Sequence, residues 1–140
     1  MRHVIFLLER DHYALPLDAV REVVNAPPSY TRVPHARDAV KGVMTLRGRV
    51  VPVVDLARLL TAVTGAEKPP ASGKVVLLEL ARRELGLLVT DVVGIEAIEK
   101  VGPQNRSRLV RGLARVGPTS VTVLDVEGLD AAVAASFANG

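Results

Sequence analysis

The 140-residue chain contains no cysteine and no tryptophan. Without thiols there is no disulfide framework, no Cys-ligated zinc or iron–sulfur site and no cysteine nucleophile. Aromatic residues are almost as scarce: Phe6, Phe137, Tyr13 and Tyr30 make up 3% of the chain. A core must therefore be built from Val, Leu, Ile and Ala, and there is no set of aromatic platforms on which nucleic-acid bases could stack. Charge of one sign is lacking too. The net charge is +3, with acids interspersed among the bases. The densest basic stretch carries Arg106, Arg108, Arg111 and Arg115. It has no aromatics and no recognition-helix pattern, so it reads as a solvated loop and not as a nucleic-acid footprint. Long apolar runs are missing as well. Val4–Leu8 stops at Glu9, and later runs are broken by Glu79, Thr90 and Asp91, far short of the roughly 18 residues that a spanning helix needs. The expectation is a soluble, cytoplasmic protein with no membrane insertion and no nucleic-acid partner.

What is present suffices for a packed core: 49% of residues are hydrophobic and 24% charged, which excludes a disordered or low-complexity chain. The chain also repeats itself. A shift of 70 residues, half its length, aligns it on itself without a gap. Leu7, Leu8 and Glu9 fall on Leu77, Leu78 and Glu79; Leu15 and Leu17 on Leu85 and Leu87; Val23 on Val93. Further along, Val40 and Gly42 fall on Val110 and Gly112, Val51, Val53 and Asp55 on Val121, Val123 and Asp125, and Leu59, Ala62 and Val63 on Leu129, Ala132 and Val133. The expectation is one unit spanning residues 1–140, made of two similar halves, 1–70 and 71–140, fused along a common core because each is too small to bury much alone.

The halves read as β. Short apolar runs over 3–9, 13–16 and 20–24 are followed by a loop opened by Pro27-Pro28. Runs 42–46 and 49–55 flank Arg47-Gly48, a hairpin signal. Leu56, Leu59, Leu60 and Val63 have helical spacing. The second half repeats this with strands over 74–81, 84–92, 93–98, 110–116 and 120–125, then a helix over about 126–138; a loop with Pro69-Pro70 joins the halves. Short strands with turns every six to twelve residues predict an all-β fold of two small five-stranded barrels, 3–56 and 74–126, which superpose and can exchange a terminal strand. Pro52, inside an otherwise good strand, is expected at an edge or a bulge.

Catalytic patterns fail one by one. His3, His12 and His35 form no H-x-x-x-H pair and have no acidic ligand cluster beside them in sequence. No serine lies in G-x-S-x-G, Gly73-Lys74 lacks the upstream glycine of a P-loop, and Gly42 and Gly48 make no dinucleotide fingerprint. Asp55 and Asp125 each end a strand before a helix, which is the position of a helix cap. The chain is expected to be no enzyme and to use no metal and no cofactor.

One stretch stands out: Val40-Lys41-Gly42-Val43-Met44-Thr45-Leu46-Arg47-Gly48-Arg49-Val50-Val51-Pro52-Val53-Val54-Asp55-Leu56, with Tyr13-Ala14-Leu15-Pro16-Leu17 and Val20-Arg21-Glu22-Val23 upstream. Together with Gly86-Leu87-Leu88-Val89 and Arg111-Gly112-Leu113-Ala114, this resembles the CheW-like family of chemotaxis adaptors over about residues 3–130. The resemblance implies two five-stranded SH3-like barrels around a shared hydrophobic core, with short helices after each half. It implies a non-catalytic adaptor that couples chemoreceptors to a CheA-type histidine kinase in a signalling array. The implied partners are the helical cytoplasmic tip of the receptor, the kinase's regulatory domain and other CheW-like proteins. The alternative is an accessory protein that binds receptors or other adaptors without coupling to the kinase. Carried over by motif, the implied partner-binding residues are Val20, Glu22, Val23, Gly42, Leu46, Arg47 and Gly48, with Val20 and Val23 as apolar anchors and Glu22 expected to pair with Arg47 beside the cleft between the barrels. The chain departs from the family pattern at Thr45, where an Asn is usual, and at Val89-Thr90-Asp91-Val92, where the usual Asp is displaced.

Overall fold

Short apolar runs separated by turn residues are the dominant signal in the chain, and the secondary structure follows them. The computed structural model describes residues 1–65, 72–81, 83–103 and 107–137; the Pro69-Pro70 joint, Arg106 and the end of the last helix at Ala138 lie outside them. Eleven strands and two helices run in the order β1 (Arg2–Leu8), β2 (Asp11–Pro16), a 3-10 turn (Leu17–Ala19), β3 (Val20–Asn25), β4 (Val40–Leu46), β5 (Arg49–Asp55), α1 (Leu56–Thr64), β6 (Lys74–Leu80), β7 (Arg83–Val89), β8 (Asp91–Ala97), β9 (Gly102–Pro103), β10 (Val110–Val116), β11 (Thr119–Leu124) and α2 (Val126–Phe137). Strand and helix positions agree closely with the sequence pattern.

The strands form two sheets, one of six strands in the order β8-β1-β2-β11-β10-β9 and one of five in the order β3-β6-β7-β5-β4. This corrects the expectation that residues 3–56 make one barrel and residues 74–126 the other. The first hairpin of each half, and not merely a terminal strand, is exchanged. β1–β2 joins the strands of the second half, through the parallel pairing of β2 with β11, and β6–β7 joins the first, through the parallel pairing of β7 with β5.

The repeat itself survives, with its register corrected. From β4 onward the offset is 70: Val40↔Val54 and Gly42↔Val53 across one bulge match Val110↔Leu124 and Gly112↔Val123 across the other. Asp55 N–H donates to Ala39 O and Asp125 N–H to Leu109 O, each at 2.8 Å. Over the first three strands the offset is 72. Phe6 pairs with Val92 and Ile5 with Gly94 across a bulge, just as Leu78 pairs with Val20 and Leu77 with Glu22. Leu7 and Leu8 therefore do not correspond to Leu77 and Leu78; Leu8 corresponds to Leu80, the last pair partner before the turn in each hairpin. The segment between β8 and β10, 98–109, is two residues shorter than its counterpart, 26–39. An error of two residues goes unseen in the alternation because side chains i and i+2 share a face.

The main core lies where the exchanged hairpins meet. Phe6, Leu8, Tyr13 and Leu15 from one meet Leu78, Leu80, Leu85 and Leu87 from the other, with Leu56, Leu59, Leu129 and Val133 from the helices. A second cluster, Ile5, Ala14, Ile98, Ala114, Val121 and Val123, belongs to the six-stranded sheet. Asp55 caps α1 by accepting from Ala57 N–H at 3.0 Å, and Asp125 accepts from Gly128 N–H at 2.9 Å. Pro52 sits in a strand flanked on both sides, yet the parallel pairing with β7 begins only at Val53, so at Pro52 the strand has a single neighbour, β4.

Gly42 and Gly112 mark the two places where the backbone of the preceding loop presses on a strand. A Cβ on Gly42, at φ +142°, would lie 2.6 Å from Thr31 O; one on Gly112 would lie 1.9 Å from Gly102 O. Gly42→Ala should cost about 1–3 kcal/mol, the scale of overpacking with backbone strain. Urea denaturation checks this as a lower midpoint at unchanged m-value; an unchanged midpoint would show that the loop does not press on β4.

Candidate functional site

Arg47 and Gly48 form the tip of the β4–β5 hairpin. Leu46 pairs with Arg49, and both tip residues have positive φ, +48° and +78°. That is the backbone of a type I′ turn, which a two-residue hairpin requires and which Gly48 accommodates at no steric cost. The turn presents the Arg47 side chain outward, 60% exposed.

Its Nη2 donates to Glu22 Oε1 on β3. β3 and β4 are the two outermost strands of the five-stranded sheet, so this ion pair ties one edge of the sheet to the hairpin at the other. The sheet must curl for the two to meet. Beneath the pair, Val20, Val24 and Leu46 lean on the main core, while Val23 points to solvent at 38% exposure. The structure thus brings Glu22 and Arg47 together, with Val20 and Leu46 as their footing and Val23 as the exposed apolar neighbour on the same strand. Gly42 stands apart, since its conformation answers to Thr31 and Tyr30.

Four charged residues next to the pair are not marked by any motif. Arg21 on β3 reaches Glu79 on β6 at 3.4 Å and Glu84 on β7 at 4.0 Å, and Arg49 on β5 reaches Glu84 at 2.9 Å. They make a chain of ion pairs, Glu79–Arg21–Glu84–Arg49, that spans four neighbouring strands. In sequence the only trace is a charge at the turn-proximal end of each strand; the order β3-β6-β7-β5 that makes them neighbours cannot be read from spacing.

At one end of the same sheet, Tyr30 packs against the main core beside a cavity of about 460 Å³. The Lys41 ammonium lies 5.8 Å from its ring centroid, within cation–π range. The hydroxyl is buried without a hydrogen-bond partner. Burial, and secondly the Asp55 carboxylate, push the phenol above its ordinary value. Among the described residues no group of three or more His, Asp or Glu is placed to hold a metal ion, and no helix is long and apolar enough to cross a membrane.

Comparison with known proteins bears on what this arrangement does. A family model described as the CheW-like domain matches residues 2–133. The chain is 28% identical over 135 residues to the chemotaxis protein CheW of Klebsiella aerogenes, covering 90% of this chain and 79% of that protein. It is 34% identical over 92 residues to the chemotaxis protein CheW of Thermotoga maritima, covering 65% of this chain and 59% of the relative. Among solved structures, the scaffolding protein TtCheW from Thermoanaerobacter tengcongensis superposes with a TM-score of 0.73 at 26% identity, over 89% of this chain and 88% of that one.

Two stability measurements check the geometry. Because the Glu22–Arg47 pair is largely solvent-exposed, Glu22→Gln should cost only about 0.2–1 kcal/mol in urea denaturation; a loss of several kcal/mol would mean the pair is a structural keystone. Tyr30 behaves oppositely at high pH. The fold holds its proton more tightly than the unfolded chain, so its contribution is complete below the unfolded value of about 10 and is lost as pH rises through the raised folded value. Tyr30→Phe should flatten the alkaline decline in stability and leave stability at pH 7 unchanged or higher, since it removes an unpaired buried hydroxyl. A variant that is weaker at pH 7 and keeps the full alkaline decline would contradict this.

Proposed function

The chain belongs to the CheW-like domain family, and from that premise we propose that it is a chemotaxis adaptor, a non-catalytic scaffold that couples chemoreceptors to a CheA-type histidine kinase. In this reading it acts in the cytoplasm, gathered at receptor clusters, and uses neither metal nor cofactor. The observation that carries the proposal is the family match over residues 2–133, in which the Leu46-Arg47-Gly48 segment forms an exposed hairpin tip joined to Glu22 of the Val20–Val23 segment.

The chemistry of that surface suits a protein partner. Glu22 and Arg47 present a carboxylate and a guanidinium held in fixed relation, while exposed Val23, next to Glu22 in an extended strand, points to the opposite face of β3. A helix of a receptor tip would engage the ion pair with polar groups of its own. The kinase's regulatory domain and other CheW-like proteins are the further partners in this reading.

The test is to titrate the protein separately with a receptor cytoplasmic tip and with the kinase regulatory domain. Arg47→Glu sets two acids against each other on an exposed surface. It should leave the melting temperature within a few degrees and weaken binding of at least one partner by roughly thirtyfold, the cost of losing a central interface residue. If the variant unfolds, the pair serves the fold and not a partner. If both affinities are unchanged, the site lies elsewhere on the molecule. If the wild type binds receptor tip but no kinase domain, the accessory reading replaces the coupling one.

A further inference from the structure

The two sheets are equivalent, and each has a cavity at the corresponding end, but the two cavities are lined differently. In the five-stranded sheet the isolated bridge Thr31↔Val43 places Tyr30 beside Gly42. In the six-stranded sheet the pair Leu113↔Gly102 places Val101 beside Gly112. Tyr30 thus corresponds to Val101, Lys41 to Arg111 and, by the offset of the first strands, Val75 to His3. Where Tyr30 and Lys41 narrow one cavity to about 460 Å³, the shorter Val101 leaves the other at about 840 Å³. His3, Ile98, Lys100, Val101, Gly102 and Arg111 line this larger one.

His3 is unusual there. It is only 1% exposed, on a strand position that the other half fills with an apolar valine. Its Nδ1 lies 3.1 Å from Met1 O. A carbonyl oxygen only accepts, so Nδ1 carries the proton and Nε2 of the neutral ring is a bare acceptor. That Nε2 is buried and has no hydrogen-bond partner among the described residues. The charged groups around it are Lys100, Arg111 and Glu99, all on the cavity wall with Met1, whose N-terminal amine lies 3.5 Å from Glu99, and Glu96, its exposed register partner on β8. Glu99 thus has a cationic neighbour of its own, and Lys100 and Arg111 keep the cavity cationic.

A ligand for this cavity must offer oxygens to Lys100 and Arg111 and one proton to Nε2. A protonated phosphate does both: its P–O–H donates to Nε2 while its other oxygens accept from the cations. With a second pKa of about 6, such a group still carries a proton on part of its population near neutral pH. We propose that the open end of the six-stranded sheet is a binding site for a small phosphomonoester, seated on His3 and held by Lys100 and Arg111. The volume is that of a small-molecule site, and the equivalent end of the other sheet, with Tyr30 in its wall and Val75 at the position of His3, is its built-in control.

The experiment follows the ring nitrogens of the three histidines by NMR in the full chain while inorganic phosphate, glycerol 3-phosphate or sulfate is added. Both phosphates should give saturable shifts at His3 and none at His12 or His35, with the ester binding at least as tightly as inorganic phosphate. Sulfate carries no proton near neutral pH, so it should bind more weakly there than phosphate. Arg111→Gln should weaken glycerol 3-phosphate binding by roughly tenfold, the scale of one charge-assisted hydrogen bond, and Lys41→Gln at the equivalent position should leave it unchanged. The proposal fails if His3 shows no saturable shift, if sulfate binds as well as phosphate at neutral pH, if only inorganic phosphate binds, or if Lys41→Gln weakens binding as much as Arg111→Gln. The wild-type His3 signal decides the matter even if a variant does not fold.

Discussion

Everything in this molecule depends on the two parallel joints, β2 with β11 and β7 with β5. Among the described residues, the pairings within the first half are the hairpins β1–β2 and β4–β5 and the isolated bridge Thr31↔Val43; β3 pairs with β6. An isolated two-stranded hairpin is marginal in water, so neither half can make a stable sheet by itself. The exchanged hairpins also carry the large core side chains, Phe6, Tyr13, Leu15, Leu78, Leu85 and Leu87. The halves therefore form together or not at all, and most of the decisive contacts join residues far apart in sequence, a topology that folds slowly.

The same arithmetic explains how much was legible in the sequence. Short apolar runs bounded by turn residues located the strands, because the exchanged hairpins β1–β2 and β6–β7 are buried over four or more consecutive positions. Asp55 and Asp125 declared the helix starts, and Arg47-Gly48 declared a turn whose conformation the structure shows. The exchange of hairpins left no trace, because periodicity reports which face of a strand is buried and not which strand lies next to it. For the same reason the repeat could be misplaced by two residues over β1–β3 without spoiling a single face. The Glu22–Arg47 contact was reachable only through family resemblance; the ion-pair chain of Arg21, Glu79, Glu84 and Arg49 required the strand order itself.

Duplication followed by divergence gives the fold its functional asymmetry. The seam of the five-stranded sheet is tied by Glu22 and Arg47. At the equivalent positions of the six-stranded sheet stand Gly94 and Gly117, and the exposed apolar residues Val93, Ile95 and Leu113 lie on β8 and β10 of that sheet. One architecture thus offers two chemically different surfaces, a charged one with a fixed ion pair and an apolar one without. For an adaptor this matters, since binding two different partners at once requires two non-equivalent faces on one rigid body, and the shared core supplies that rigidity without adding a second domain.

The central claim is that the surface around Glu22 and Arg47 meets a partner. Amide hydrogen exchange of the full chain, alone and saturated with a receptor cytoplasmic tip or a kinase regulatory domain, tests it most directly. The account predicts added protection over β3 and over the hairpin tip at residues 46–49 in at least one complex. Protection confined to other strands in both complexes, with β3 and the tip unchanged, would contradict it.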